Sequence, residues 1–371
     1  MGTTCGSASK LAVARRATRA LRISSSAHCS IPRELTAPVP ARPHALVLTA
    51  HHFCRTISAR MIRTILFNAA GRVRAGWRVL LFFALFFALG PIGGILLSLA
   101  YGALAGSIPT REELSARLDP FSLQMLVYST LISATLLASA ICLRWLDRRP
   151  FRSLGYQWRQ RGWHEYLVGF GLAALMITFV VLIELPLGHV NLQWEGYPAA
   201  EAAGGTFLAF FFFNVAAAFE EFLFRGYPLQ TLLLDVRPTI AVSAPSVLFG
   251  LGHAGNPHAS ALSVFNTALA GVWLSIAYLK TRRLWLPIGL HAGWNFTMSA
   301  VYGLTVSGIE ERIGASLFRT AQTGPVWLTG GSYGPEGGVL VTAVLIGASF
   351  WLWRTPHIRP QGEAREASDR A

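Results

Sequence analysis

Eight apolar runs dominate this chain, at residues 79–104, 122–143, 165–187, 206–223, 239–253, 261–279, 285–303 and 336–353. A helix needs about 20 apolar residues to cross a bilayer, and inside the hydrocarbon it must satisfy its own backbone polar groups. Runs of this length and number point to an all-α fold, a polytopic integral membrane protein with about eight transmembrane helices. Composition agrees, with 53% of the 371 residues hydrophobic and 13% charged, where a soluble domain carries about 25% charged residues. Length alone would allow two or three soluble domains. The fourth and fifth runs are the weakest, since both carry polar residues and the fifth is short. The fourth nevertheless contains Phe210-Phe211-Phe212-Phe213, apolar all round as a helix in lipid should be.

The formal charge is +14, and its placement argues for topology rather than for a nucleic-acid partner. Residues 1–60 hold nine basic residues and one acid, Glu34. They contain no apolar core of a secretory signal, and they read as a basic extension, either transit-like or the product of a start upstream of Met61. The remaining chain divides into a single membrane domain, 61–360, and a polar tail, 361–371. Among its loops, Arg63, Arg72, Arg74 and Arg78 precede the first run. Arg144, Arg148, Arg149, Arg152, Arg159 and Arg161 separate the second from the third. Lys280, Arg282 and Arg283 separate the sixth from the seventh, and Arg354, Arg359, Arg365 and Arg370 follow the eighth. Eight crossings put all of these on one side, which the positive-inside rule makes the cytoplasm. Segments 188–205 and 254–260, on the other side, have no Lys or Arg, whereas 105–121 and 304–335 keep two arginines each. Both termini are therefore expected inside. Arginine outnumbers lysine 30 to 2, which fits a GC-rich coding sequence and a bacterial plasma membrane. Four cysteines (Cys5, Cys29, Cys54, Cys142) without a CxxC spacing argue against a disulfide framework or a thiolate zinc site.

Charge inside the spans carries the chemistry. An ionised side chain costs roughly 2.5–3.5 kcal/mol at the centre of a membrane helix, so such groups are functional candidates by default. Glu220, Glu221 and Arg225 fall together in Phe219-Glu220-Glu221-Phe222-Leu223-Phe224-Arg225-Gly226. Glu221 and Arg225, four apart, share a helix face and can pair. Glu220 is turned about 100° away, which leaves it free to act as a base. His253 ends the fifth run and His291 lies in the seventh, with Asn295 four residues on and on the same face. Imidazole and carboxamide can each donate a hydrogen bond to a developing oxyanion. Asn214, seven residues before Glu221, is a candidate support for it. Glu184 reads as interfacial and His258 as a loop residue. Gly90, Pro91, Gly93 and Gly94 suit a kink or a close helix contact in the first run.

The ordered set Glu220-Glu221-x-x-x-Arg225, Phe249-x-x-x-His253 and His291-x-x-x-Asn295, with Leu284-Trp285-Leu286-Pro287-Ile288 before the last, resembles the CPBP intramembrane proteases. That family includes the type II CAAX prenyl endopeptidases and the Abi proteins linked to bacteriocin processing or immunity. The resemblance covers about residues 205–300. It implies an intramembrane endopeptidase in which Glu220 and His253 activate the attacking water and His291 with Asn295 stabilise the oxyanion. Glu221 and Arg225 would hold the site together. The family is often labelled metalloprotease. Glu220, His253 and His291 are the candidate ligands for a divalent cation such as zinc, but Arg225 so close would oppose one. The implied partners are the lipid bilayer and a membrane-associated protein or peptide substrate.

Two other functions use the same residues. One is a non-catalytic membrane partner or bacteriocin-immunity-type scaffold, which intact motif residues disfavour. The other is a proton-coupled transporter, which the lack of an internal repeat disfavours. No His-Glu-x-x-His, Gly-x-Ser-Gly or intramembrane aspartate pair supports a zincin, rhomboid or aspartyl mechanism.

Overall fold

The computed structural model describes residues 63–107, 110, 112–113, 118–157, 162–310 and 315–358. The basic extension and the polar tail expected at the two ends lie outside these residues. Each of the eight apolar runs carries a helix: α1 (Ala75–Ala105), α2 (Pro120–Ile141), α3 (Gly162–Glu184), α4 (Ala199–Glu221), α6 (Pro238–Gly252), α7 (Ala261–Thr281), α8 (Trp285–Phe296) and α9 (Val339–Arg354). Between α4 and α6 lies the short α5, Tyr227–Leu232. The fold is thus mostly helical, as expected. Among the described residues, five stretches are long and apolar enough to cross a membrane: Ala75–Ala103, Pro120–Asp147, Gly162–Glu184, Ala199–Leu232 and Ala261–Thr281. The helices of the fifth, seventh and eighth runs, with 15, 12 and 16 residues, fall short of a full crossing on their own. A π turn at Thr297–Val301 extends α8.

The loops sort into two ends of the bundle. At one end the Gln230 amide donates to the carbonyl of Leu154, Leu284 N–H donates to Gly155, and Asn68 donates to Asp235. At the other end strand β1 (Val190–Trp194) pairs antiparallel with β2 (Phe318–Gln322), and the Asn256 amide donates to the carbonyl of Ser307. Segments 144–157, 224–238 and 280–284 therefore gather at one end, and 188–205, 254–260, 304–310 and 315–335 at the other. Alternating crossings require this division. The strand pair was not expected from the sequence, where both of its segments read as loops.

Local chemistry fixes the helix ends. Asp119 accepts from Ser122 N–H at 3.1 Å and caps α2, while Ser260 and Ser263 close a reciprocal capping box on α7. The first turn of α1 is capped from a distance: the Asp235 carboxylate accepts from Ala75 N–H at 2.7 Å. Burial pushes the Asp235 carboxyl up, but the Asn68 amide, the Ala75 N–H, Arg78 and Arg74 together hold it below its ordinary value. Arg78, buried beside it, pairs with Asp147.

Exposed Phe207, Phe210 and Phe211 on α4 face outward, and buried Phe212 and Phe213 face the core. A side chain costs nothing in lipid when it is apolar, so the run can serve both surfaces. In α1, a Cβ on Gly93 would come within 2.9 Å of Thr130, so this glycine permits the close contact with α2; Gly90 and Gly94 have no such neighbour.

Contact between α3 and α8 is closer still. A Cβ on Gly289 would stand 2.2 Å from the carbonyl oxygen of Tyr166, and one on Gly293 2.4 Å from that of Phe170. Small residues at such a crossing let two membrane helices meet backbone to backbone. Gly289 and Gly293 are four apart and share one face of α8. His291 and Asn295 are also four apart, offset from the glycines by two residues or about 200°. The glycine face docks α8 on α3 and turns the histidine face toward α4 and α6.

Candidate active site

Glu220 and Glu221 end α4, where the backbone passes through a π turn at Phe222–Gly226 before continuing as α5. Such turns inside a helix often mark functional sites. Glu221 is fully buried, and its Oε1 accepts from Arg225 Nη1 at 2.9 Å. Arg225 is itself buried at 1% exposure and donates through Nη2 to the carbonyl of Gly271 on α7 at 3.0 Å. Its guanidinium lies 4.7 Å from the centre of the Phe249 ring, which supplies the negative face that a desolvated cation favours. The i, i+4 pairing of Glu221 with Arg225 therefore holds through the π turn.

Glu221 Oε1 also meets His291 Nδ1 at 2.9 Å, and His291 Nε2 lies 3.6 Å from Glu220 Oε2. Since a carboxylate only accepts, Nδ1 carries the hydrogen. Glu220 is half-buried, and its Oε2 has no hydrogen-bond partner among the described residues. The two adjacent acids are thus placed differently, one locked and one open.

His253 caps the C-terminus of α6. Its Nδ1 sits 2.9 Å from the carbonyl oxygen of Phe249, one turn back, and so donates to it. A neutral His253 then presents Nε2 as an acceptor. The Phe249 ring packs edge-on against both histidines, with centroids 4.8 Å from His253 and 5.9 Å from His291. This ring holds the two imidazoles and Arg225 apart, which gives the Phe-x-x-x-His spacing a physical role.

Glu220, His253, His291 and Asn295 all line one cavity with about 70 Å³ of room for water, enough for a few molecules, since one needs roughly 10–15 Å³ by this measure. Its other walls include Tyr128, Phe213, Leu274, Val341 and Leu345. The lining therefore combines polar and apolar side chains.

Sequence reasoning placed the site between the fourth, fifth and seventh runs. The cavity adds α7, α9 and the 304–338 loop, through Asn266, Thr267, Trp273, Ser307 and Glu336. Glu336 was read only as the first residue of the last span, yet it lies in a turn before α9, which begins at Val339. Its signal was an acid in a glycine-rich stretch, Gly330-Gly331-Ser332-Tyr333-Gly334-Pro335-Glu336-Gly337-Gly338.

One of three secondary expectations resolves differently. Asn214 does not support Glu221, because its amide accepts from the Tyr166 hydroxyl at 2.7 Å and donates to the carbonyl of Phe210. Glu184, read as interfacial, ends α3 at 1% exposure, with Oε1 unpartnered among the described residues. His258 does lie in an exposed loop.

The candidate zinc ligands were Glu220, His253 and His291. Among the described residues no three His, Cys, Asp or Glu side chains come together as a metal-holding group. Both nitrogens of His291 face carboxylates, and Arg225 already neutralises Glu221.

Residues 202–297 match a family model described as type II CAAX prenyl endopeptidase Rce1-like. The match runs from the start of α4 to just beyond Asn295, and so covers every motif residue from Glu220 on. It agrees with the resemblance read from the motifs. A comparison with curated proteins finds no match to the chain.

Proposed function

We propose that this chain, whose residues 202–297 match a family model described as type II CAAX prenyl endopeptidase Rce1-like, hydrolyses a peptide bond of a membrane-associated protein or peptide, using water activated by Glu220. The observation that carries this reading is the contrast between two neighbouring carboxylates, Glu221 locked by Arg225 and Glu220 open to a polar cavity.

Charge counting supports the roles. Buried ionised groups persist only when paired. Glu221 and Arg225 cancel, so one proton shared by Glu220 and His291 leaves the whole cluster neutral. When His291 holds that proton, Glu220 is a carboxylate able to take a proton from water. His291 Nε2–H is then a donor for the oxyanion that forms as water adds to the scissile carbonyl. The Asn295 amide is the second donor, and His253 offers its acceptor nitrogen to the same water. Proton return from Glu220 to the leaving amine completes the hydrolysis. The apolar wall suits a substrate that approaches from lipid.

The test is cleavage of a fluorogenic, farnesylated peptide ending in Cys-aliphatic-aliphatic-X by the purified, detergent-solubilised protein, together with a proteomic comparison of membranes containing wild type or Glu220→Ala. Expected is cleavage of the peptide, or of native membrane peptides that persist uncut with the variant. If the wild type cleaves neither, the reading fails.

The scaffold reading has no specific observation in its favour, because every motif residue is present and assembled. Loop charges support a cytoplasmic position for both termini of an integral membrane protein. Reporter fusions after Arg149 and Arg283 should then read cytoplasmic and a fusion near Ser332 external; a cytoplasmic signal at Ser332 would overturn this orientation.

A further inference from the structure

We propose that Glu336 is a positioning residue of this site, a single carboxylate that clamps the 304–310 loop to the helix carrying His291 and Asn295. The reaction it serves rests on the function proposed above; the clamp itself rests on geometry.

Glu336 Oε1 accepts from Trp294 Nε1 at 3.0 Å. Trp294 precedes Asn295 on α8 and packs edge-on against Trp273, with centroids 5.8 Å apart. Glu336 Oε2 accepts from both the backbone N–H and the hydroxyl of Ser307, at 2.8 and 2.6 Å. Ser307 has φ of 49°, a left-handed conformation that a non-glycine residue adopts only when its surroundings hold it there. The Ser307 carbonyl accepts in turn from the Asn256 amide at 2.8 Å, and Asn256 N–H donates to the carbonyl of His253 at 3.1 Å. One carboxylate thus joins the segment that ends in His253 to the helix of His291 and Asn295, segments the sequence leaves unconnected.

The backbone at Glu336 is held without its side chain. Glycines 330, 331 and 334, at φ of 82°, 55° and 94°, turn the chain back on itself. Asn266 Nδ2 then donates to the carbonyls of both Glu336 and Gly338 at 2.9 Å. Removing the carboxylate therefore spares the turn and loosens only what the carboxylate holds.

Chemistry makes the residue type specific. Indole N–H and backbone N–H can only donate, so the clamp needs an acceptor at each tip of one side chain. Glu336→Gln keeps the shape but places an NH₂ against one of these donors. Glu336→Asp keeps two acceptors on a shorter stem.

The experiment compares wild type, Glu336→Gln and Glu336→Asp as purified full-length protein in detergent. Amide hydrogen exchange is followed over 304–310, thermal unfolding is measured on the same samples, and kcat and KM are measured on the farnesylated peptide. In Glu336→Gln, exchange at 304–310 should rise at least about tenfold with little change in unfolding temperature, as expected when a local opening no longer has to break the Ser307 bonds. Its kcat should fall roughly 10²-fold, the scale of a small misplacement of catalytic groups, with KM little changed. Glu336→Asp should recover part of both. Unchanged exchange in Glu336→Gln, an unchanged kcat, or no rescue by Asp would overturn the inference. So would a lowered unfolding temperature with full turnover of the folded fraction, which is what a merely structural residue would give. A wild type inactive on every substrate would sink the proposed function instead, and the exchange comparison would then decide the clamp alone.

Discussion

Glu220→Gln is expected to slow peptide cleavage by roughly 10²–10⁴-fold, the usual contribution of general-base catalysis, and to leave the fold intact. Both halves follow from the position of the side chain. Glu220 Oε2 carries no hydrogen bond among the described residues, and its neighbour, His291 Nε2, is 3.6 Å away. Replacing one oxygen by an amide nitrogen therefore breaks no structural bond, yet it removes the atom that must take a proton from water. Asn295→Ala is the matching change at another residue of the same cavity. It removes one oxyanion donor, a loss of about 10²–10³-fold in turnover. Purified, solubilised variants should be assayed for cleavage and, in the same samples, for thermal unfolding. If Glu220→Gln and Asn295→Ala both keep full turnover, peptide hydrolysis at this site is the wrong reaction, and a non-catalytic membrane partner becomes the better description.

The features legible in the sequence are those set by short spacing. Glu221 and Arg225 pair at i, i+4 because one helix face brings them together, and the same rule puts His291 beside Asn295. Position in an apolar segment marked Glu220 as a costly group, and so as a candidate, without any knowledge of its neighbours. The two-ended loop arrangement was legible too, because hydropathy sets the number of turns and alternation does the rest. Contacts between distant segments were not. Glu336 meets Trp294 and Ser307 only after a glycine-rich turn folds it back, and hydropathy takes no account of that turn. Asn214 shares a face with Glu221 by periodicity, but the Tyr166 hydroxyl from α3 reaches it. Hydropathy also overstated the last span: its apolar average absorbed Glu336, Gly337 and Gly338, although two glycines and a committed acceptor favour a turn. The strands at 190–194 and 318–322 are short, and each is given its partner by the other loop.

Glu221→Gln should behave unlike its neighbour and lower stability together with activity. Glu221 Oε1 holds two groups at once, Arg225 Nη1 and His291 Nδ1, each at 2.9 Å, with no exposure to solvent. The amide oxygen of glutamine can still accept a hydrogen bond, but the negative charge is gone. Arg225 is then a buried cation whose remaining contacts, the Gly271 carbonyl and the Phe249 ring, carry no net charge. Breaking a buried pair from one side costs roughly 3–5 kcal/mol, against a total stability of about 5–15 kcal/mol for a folded domain. A loss of that size should appear as a clearly lower unfolding temperature and reduced yield. Adding Arg225→Met to Glu221→Gln removes the stranded cation, and replacing both partners of a buried pair is often close to neutral. The double variant should therefore regain much of the lost stability. It should not regain cleavage, because His291 still lacks the carboxylate that fixes its tautomer. Thermal unfolding and peptide cleavage of the two single variants and the double variant form a complete cycle. Additive losses of stability across that cycle, or a Glu221→Gln protein as stable as wild type, would show that Arg225 does not depend on Glu221 and that the locked half of the site is held by something else.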